Sequence, residues 1–235
     1  MRRTSRSVLL AAVFALASRE VAAQAQQEAS RAVSGGGISV PGWSGKIDPS
    51  EAGRGAKLEN SKLSKEGDAL KVTTGPAVVY WNAANKASGN YTVKATFTEP
   101  SYMNVNDHPH PYGIVIGGND MGTDNQSYLY CAAYGSGSFI VRGFGPQPFR
   151  LNGGHGEMNA AVNKAAAKGE PVKQDIAVSV TNDKVECAIN GTTVASYPRD
   201  SVVMAGRLKS TDGVYGIRFS HNTDGTVTGL TLTRK

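Results

Sequence analysis

Three groups of residues in this chain have types and spacings that can do chemistry. His108-Pro-His110-Pro sets two imidazoles two residues apart, and on an extended chain such side chains point the same way. Imidazole is the commonest protein ligand of transition metals. Asp107 nearby, or His155 and His221 from elsewhere, would complete a set. The proline after each histidine equally fits a stiff polar loop that only positions the next strand. Gly118-Asn-Asp-Met-Gly-Thr-Asp-Asn125 offers the carboxylates of Asp120 and Asp124. Calcium takes such oxygen ligands. The segment lacks the EF-hand spacing, and an ordinary turn rich in Asx residues also accounts for it. No cofactor other than calcium is expected.

The third group is aromatic. Tyr128 and Tyr130 alternate along one stretch, with Tyr134 beyond them and Arg142 in the next. Tyr80 and Trp81 end another. Aromatic faces stack on the C–H faces of sugar rings while polar groups at the rim bond the hydroxyls. Cross-strand aromatic packing uses the same residues. His221-Asn222-Thr-Asp-Gly225 adds an imidazole, an amide and a carboxylate between the last two strands, either as the edge of a site or as a hairpin turn.

The elements that must hold these groups read as strands. Tyr91, Val93, Ala95 and Phe97 alternate with polar residues, as do Ile176, Val178 and Val180, and then Val185, Cys187 and Ile189. Period two means one buried face and one wet face. Tyr112–Gly117 is a continuous apolar run, typical of a central strand. Tyr128–Tyr134 and Phe139–Phe144 read as a hairpin, and Asn190-Gly191 as a tight type I′ turn. Val214–Ser220 and Thr226–Thr233 are two closing strands. Asn159–Lys168 is the one stretch with helical composition. Many strands without a βαβ rhythm predict an all-β chain built as an antiparallel β-sandwich. Ile114, Ile116, Val178, Val180, Ile189, Ile217 and Phe219 are its expected core.

The N-terminus sets the compartment. Arg2, Arg3 and Arg6 precede the apolar run Val8–Ala17, and Ala23-Gln-Ala25 follows as a small-residue cleavage site. This is the order of a signal peptide, and the run is too short to span a bilayer. The expected organisation is a signal peptide over 1–25, a flexible lead-in over 26–54 and one domain over 55–235. The expected location is periplasmic or extracellular, with no membrane insertion after cleavage. Cleavage removes Arg2, Arg3, Arg6, Arg19 and Glu20, so the formal charge falls from +6 to +3. The remaining cations form no run, which argues against nucleic acid. Cys131 and Cys187 are either a disulfide, which export permits, or two buried thiols.

The order of motifs resembles a known group. His110-Pro-Tyr-Gly-Ile-Val-Ile-Gly-Gly-Asn-Asp, Gln126-Ser-Tyr-Leu-Tyr and Phe139-Ile-Val-Arg are similar to a block in concanavalin A-like lectin/glucanase domains of secreted bacterial proteins. Ala161-Val-Asn-Lys-Ala165, Ala188-Ile-Asn-Gly191 and Tyr215-Gly-Ile-Arg-Phe-Ser-His-Asn follow in the same order. The resemblance covers roughly residues 55 to 235 and implies a concanavalin A-like jelly roll with one concave face. Its relatives include lectins, laminin-G-like modules, glycosidases and the 3-keto-disaccharide hydrolase group. Retaining glycosidases of this fold carry paired carboxylates on one strand in an E-x-D-x-x-E pattern. That pattern is absent here: Glu186 stands alone on its strand and Asp175 precedes one. The expectation is a lectin-like protein whose partner is a carbohydrate, bound through Tyr128, Tyr130, Arg142, His110, His221 and Asn222. A glycoside hydrolase with loop-borne carboxylates and a structural module of the cell envelope are the alternatives.

Overall fold

The computed structural model describes residues 29–234. The expected signal peptide over 1–25 lies outside them. Two sheets pack face to face. The back sheet runs β1 (Gly37–Ile38), β3 (Ser61–Glu66), β4 (Ala69–Thr74), β16 (Asp224–Arg234), β6 (Tyr91–Glu99), β12 (Val172–Val180), β13 (Lys184–Ile189) and β14 (Thr192–Pro198). The front sheet runs β10 (Pro148–Arg150), β9 (Ser138–Phe144), β8 (Ser127–Ala133), β7 (Tyr112–Asn119), β15 (Gly213–Phe219), β5 (Val78–Ala87) and β2 (Trp43–Ile47), with β11 (Glu157–Met158) also on β9. Apart from the parallel pair β1 and β3, neighbouring strands are antiparallel. One-turn helices α1 (Pro49–Ala52) and α2 (Arg199–Val202) lie in connections. No helix among the described residues is long and apolar enough to cross a membrane.

The two sheets differ in how their faces are used. β6 and β12 alternate buried with less buried positions, because only one face meets the core. β7 and β8 are buried at nearly every position. Their inward set, including Ile114, Ile116, Leu129 and Cys131, joins the main core. Their outward set, Val115, Tyr128, Tyr130 and Ala132, joins Val79, Trp81 and Ile140 in a second apolar cluster. A strand covered on both faces loses the period-two signature, which is why these runs read as unbroken. All seven expected core residues are at most 1% exposed.

Asn190 and Gly191 have φ of 50° and 83°, the two positive angles that a type I′ turn needs. Cys131 of β8 and Cys187 of β13 form a disulfide that ties front sheet to back sheet, with Cα atoms 6.0 Å apart.

Three expectations are corrected. Residues 159–168 form no helix. Val162 is buried at 3% exposure, and the Asn163 main-chain amide and side chain bond Gln174 and Lys173 of β12, so tertiary contacts override the alanine-rich composition. The lead-in drawn over 26–54 contains β1, β2 and α1, so the folded domain begins before residue 55. The link over residues 221–223 does not close a hairpin: it carries the chain from β15 in the front sheet to β16 in the back sheet.

Glu99 ends β6 on its buried face and is 5% exposed. One carboxyl oxygen accepts the Met103 amide at 3.2 Å, and Oε2 has no hydrogen-bond partner among the described residues. Burial drives its pKa up to about 7, opposed by the Met103 bond and helped by Asp224. The raised value means that the folded state holds its proton more tightly than the unfolded chain. Stability is therefore full below the unfolded value near 4.5 and declines as pH rises through about 7. Glu99→Gln should remove a cost of about 3 kcal/mol at pH 8 and change little at pH 4. Urea midpoints of both proteins at the two pH values check this, and an equal difference at both would contradict it.

Candidate functional site

The outer face of the front sheet carries a groove of about 900 Å³. Its floor comes from outward positions of neighbouring strands: Ile140 and Arg142 of β9, Tyr130 and Ala132 of β8, and Arg218 of β15. On the β10 side, the turn Gly145–Gln147 and strand residues Pro148, Phe149 and Arg150 form a wall. This wall can fold close because a Cβ at Gly143 would lie 2.3 Å from the Phe149 ring. On the β2 side stand Lys46, Asp48 and α1 with Glu51. Where β7 starts and β15 stops, His108, His110 and His221 bound the groove.

Arg218 is the centre of the floor. It is 7% exposed, and its guanidinium lies 4.9 Å from the Tyr130 ring centroid and 5.2 Å from that of Phe144. It donates to both oxygens of Asp48 at 2.8 and 2.5 Å, and to the Tyr128 hydroxyl at 3.1 Å. Burial disfavours its charge, but Asp48 outweighs burial and holds the pKa well above the usual value. Sequence reading passed over this residue. The available signal was an arginine inside the apolar run Tyr215–Phe219, since a charge on a doubly covered strand needs a partner.

The tyrosines divide. Their spacing puts both on one face of β8, and that face is the outward one. Tyr128 is fully buried beneath Phe144 and Tyr130 and does not line the groove, so its expected stacking role is corrected to a packing one. Tyr130 lines the groove but is 6% exposed, with Arg218 beside its ring. Trp81 is buried with Met121 of the β7–β8 loop packed on its cluster. Tyr134 and Phe149 are only partly buried and line the groove.

Arg142 lines the groove, donates to the Gly154 carbonyl at 2.5 Å, and keeps its Nε buried without a hydrogen-bond partner among the described residues. Arg150 is exposed beside it, paired across β9 and β10. Neither has a carboxylate partner among the described residues. The groove's own carboxylates are engaged. Asp48 holds Arg218, and Asp124 holds Lys46 at 3.1 Å. Glu51 accepts the Ala77 amide at 2.9 Å and the Ser30 hydroxyl, and faces His221. Burial pushes Glu51 up, but bonds from His221, Ser30 and Ala77 outweigh it and hold the carboxyl below its usual range.

The expected calcium pair is not assembled. Asp120 pairs with Lys209, Asp124 pairs with Lys46, and the loop is a tight turn in which the Asp120 main-chain carbonyl accepts the amide and the hydroxyl of Thr123. Asn222 is 3% exposed, and its amide bonds Ala29 and Arg31, so it anchors the N-terminal segment rather than a ligand. His108, His110 and His221 do converge, with ligand-capable atoms within 4.8 Å of one another. His155 is exposed and outside that group. Burial first, and His221 next, pull the His110 pKa down to about 4.

Comparison places this architecture among lectin-type folds. The carbohydrate-binding module CBM66 from Bacillus subtilis superposes with a TM-score of 0.54 at 7% identity, over 84% of this chain and 98% of that one. A Bacillus subtilis protein of unknown function with a galectin-like fold gives 0.54 at 11% identity, over 82% and 89%. The exoplasmic/lumenal domain of VIP36, in a Ca2+/Man3GlcNAc-bound form, gives 0.50 at 8% identity, over 83% and 84%. The fold is a jelly-roll sandwich. No family model matches the sequence, and no curated protein matches it. At these identities the likeness concerns the fold alone.

Proposed function

We propose that the groove binds a saccharide and that the protein is an exported, lectin-like carbohydrate-binding protein. The observation that carries this reading is the joint presence, on one open sheet face, of partly accessible rings and of arginines without carboxylate partners among the described residues: Tyr134 and Phe149 with Arg142 and Arg150. Rings stack on sugar C–H faces while guanidinium groups bond the oxygens at the rim. The fold supports the reading, since one similar structure is a carbohydrate-binding module and another was solved with Man3GlcNAc. The inter-sheet disulfide suits an exported protein.

The charge balance favours an acidic saccharide. Asp48, Glu51 and Asp124 are already held by protein cations or amides, whereas Arg142 and Arg150 have positive charge to offer. A uronate carboxylate or a sulfate ester fits a guanidinium fork. Binding without turnover is the preferred reading because a glycosidase acid needs a raised pKa. Glu51 in the groove is held low. A glycan array containing neutral, uronate and sulfated oligosaccharides, followed by product analysis on each hit, tests both points. Retained, uncleaved acidic glycans are expected; cleavage of a bound glycan would move the protein to the hydrolase class.

A further inference from the structure

We propose that the loop over residues 152–157 is a displaceable lid on an acid-binding subsite, and that its Gly154 carbonyl holds on Arg142 the place that a sulfate or carboxylate group of the ligand takes. The inference rests on the reading of the groove as an acidic-saccharide site and says where the acid sits. It starts from the hydrogen bonds of one guanidinium. The Nε and Nη2 hydrogens of an arginine lie side by side, and this edge is a fork that meets the two oxygens of an acid. In Arg142 the fork is half filled. Nη2 donates to the Gly154 carbonyl at 2.5 Å, while Nε is buried without a hydrogen-bond partner among the described residues. One carbonyl oxygen serves one arm of the fork, whereas two acid oxygens serve both. An unpaired buried donor carries a cost, and the exchange removes it.

Charge gives the second argument. Arg142 of β9 and Arg150 of β10 are direct cross-strand partners, so their side chains leave one face with Cβ atoms about 5 Å apart. Like charges opposite one another destabilise a strand pair. Neither arginine has a carboxylate partner among the described residues. The neutral Gly154 carbonyl leaves that repulsion in place, whereas an anion offsets it. Tyr134 lines the groove in the same field: burial raises its hydroxyl pKa, while Arg142 and then Arg150 pull it down.

The loop is pinned at its ends and loose between them. Asn152 accepts the Val141 amide at 2.7 Å and donates to the Phe139 carbonyl at 3.2 Å, and Glu157 of β11 pairs with Phe139. Between these pins lie Gly153, Gly154, His155 and Gly156, of which the first three are exposed. Gly156 has φ of 93° and rests against Tyr134, where a Cβ would come within 3.2 Å of the ring. Among the described residues, the Arg142 bond is the one side-chain hydrogen bond to this tip.

The test titrates the purified protein with inorganic sulfate and follows the arginine Nε–H groups and the backbone amides by NMR. Sodium chloride at equal ionic strength is the control. The Arg142 Nε signal is assigned by its absence from Arg142→Lys. Sulfate should shift that signal and the His155 amide, which follows the displaced carbonyl, in one saturable transition. Arg142→Lys keeps the charge and the aliphatic stem but loses the fork. It should fold, and it should bind sulfate about 10-fold or more weakly. No saturable shift in the wild type, a shift at Arg142 with the His155 amide unmoved, an equal response to chloride, or undiminished affinity in Arg142→Lys would overturn the proposal. The glycan array separates it from the broader reading. A sulfate response without any bound glycan keeps the subsite and removes the saccharide, and bound acidic glycans without the sulfate response do the reverse.

Discussion

Arg218→Met should lower the folding stability by about 3–5 kcal/mol, because it leaves the Asp48 carboxylate without its partner in a largely buried place. Side-chain exposures of 9% for Arg218 and 17% for Asp48 keep water from replacing the lost charge. The Tyr128 hydroxyl loses its donor at 3.1 Å, and the Tyr130 and Phe144 rings lose the plane beside them. Asp48→Leu combined with Arg218→Met should recover most of the loss, since a buried pair replaced by apolar groups of similar volume is often neutral. Urea unfolding of the single and double variants measures the coupling. A single variant as stable as the wild type would show that Asp48 finds water or another cation. The pair therefore gives the groove floor a fixed shape more than it adds net stability.

Opening the disulfide should cost about 4 kcal/mol in the chain-entropy account of a crosslink. The separation of 56 residues sets that size, and the bond joins strands of opposite sheets. Cys131→Ala with Cys187→Ala should melt well below the oxidised wild type, and reductant should bring the wild type down towards the variant. Equal melting of the oxidised protein and the double variant would mean that sheet-to-sheet packing alone holds the sandwich.

The legible parts of the fold were those decided locally. Alternation in β6, β12 and β13 follows directly from one wet face. The Asn190-Gly191 turn follows from backbone sterics. β2 was hidden because Trp43–Ile47 is short and contains Ser44, Gly45 and Lys46 between its apolar ends. Its pairing with β5 is what makes it a strand. Tyr128 and Tyr130 were placed on the right face, but their burial depends on the neighbours Phe144 and Arg218, which the strand's own pattern does not specify. The histidine cluster was half legible: the His108 and His110 spacing is local, whereas His221 arrives from 111 residues further along through the crossover between sheets. The Asp48–Arg218 pair spans 170 residues and left no mark beyond a charge in an apolar run.

The central claim is that the outer face of the front sheet is the binding surface. The most direct measurement is the affinity of one array-selected acidic glycan for the wild type, Arg150→Ala and Lys94→Ala, with the melting temperature of each. Arg150 is exposed on the groove wall, and Lys94 is exposed on the outer face of the back sheet, so neither change should disturb the core. Arg150→Ala should weaken binding about 10-fold or more through loss of a charge-assisted bond, with melting unchanged. Lys94→Ala should bind as the wild type does. Undiminished affinity in Arg150→Ala together with a loss in Lys94→Ala would contradict the account and move the site to the back sheet.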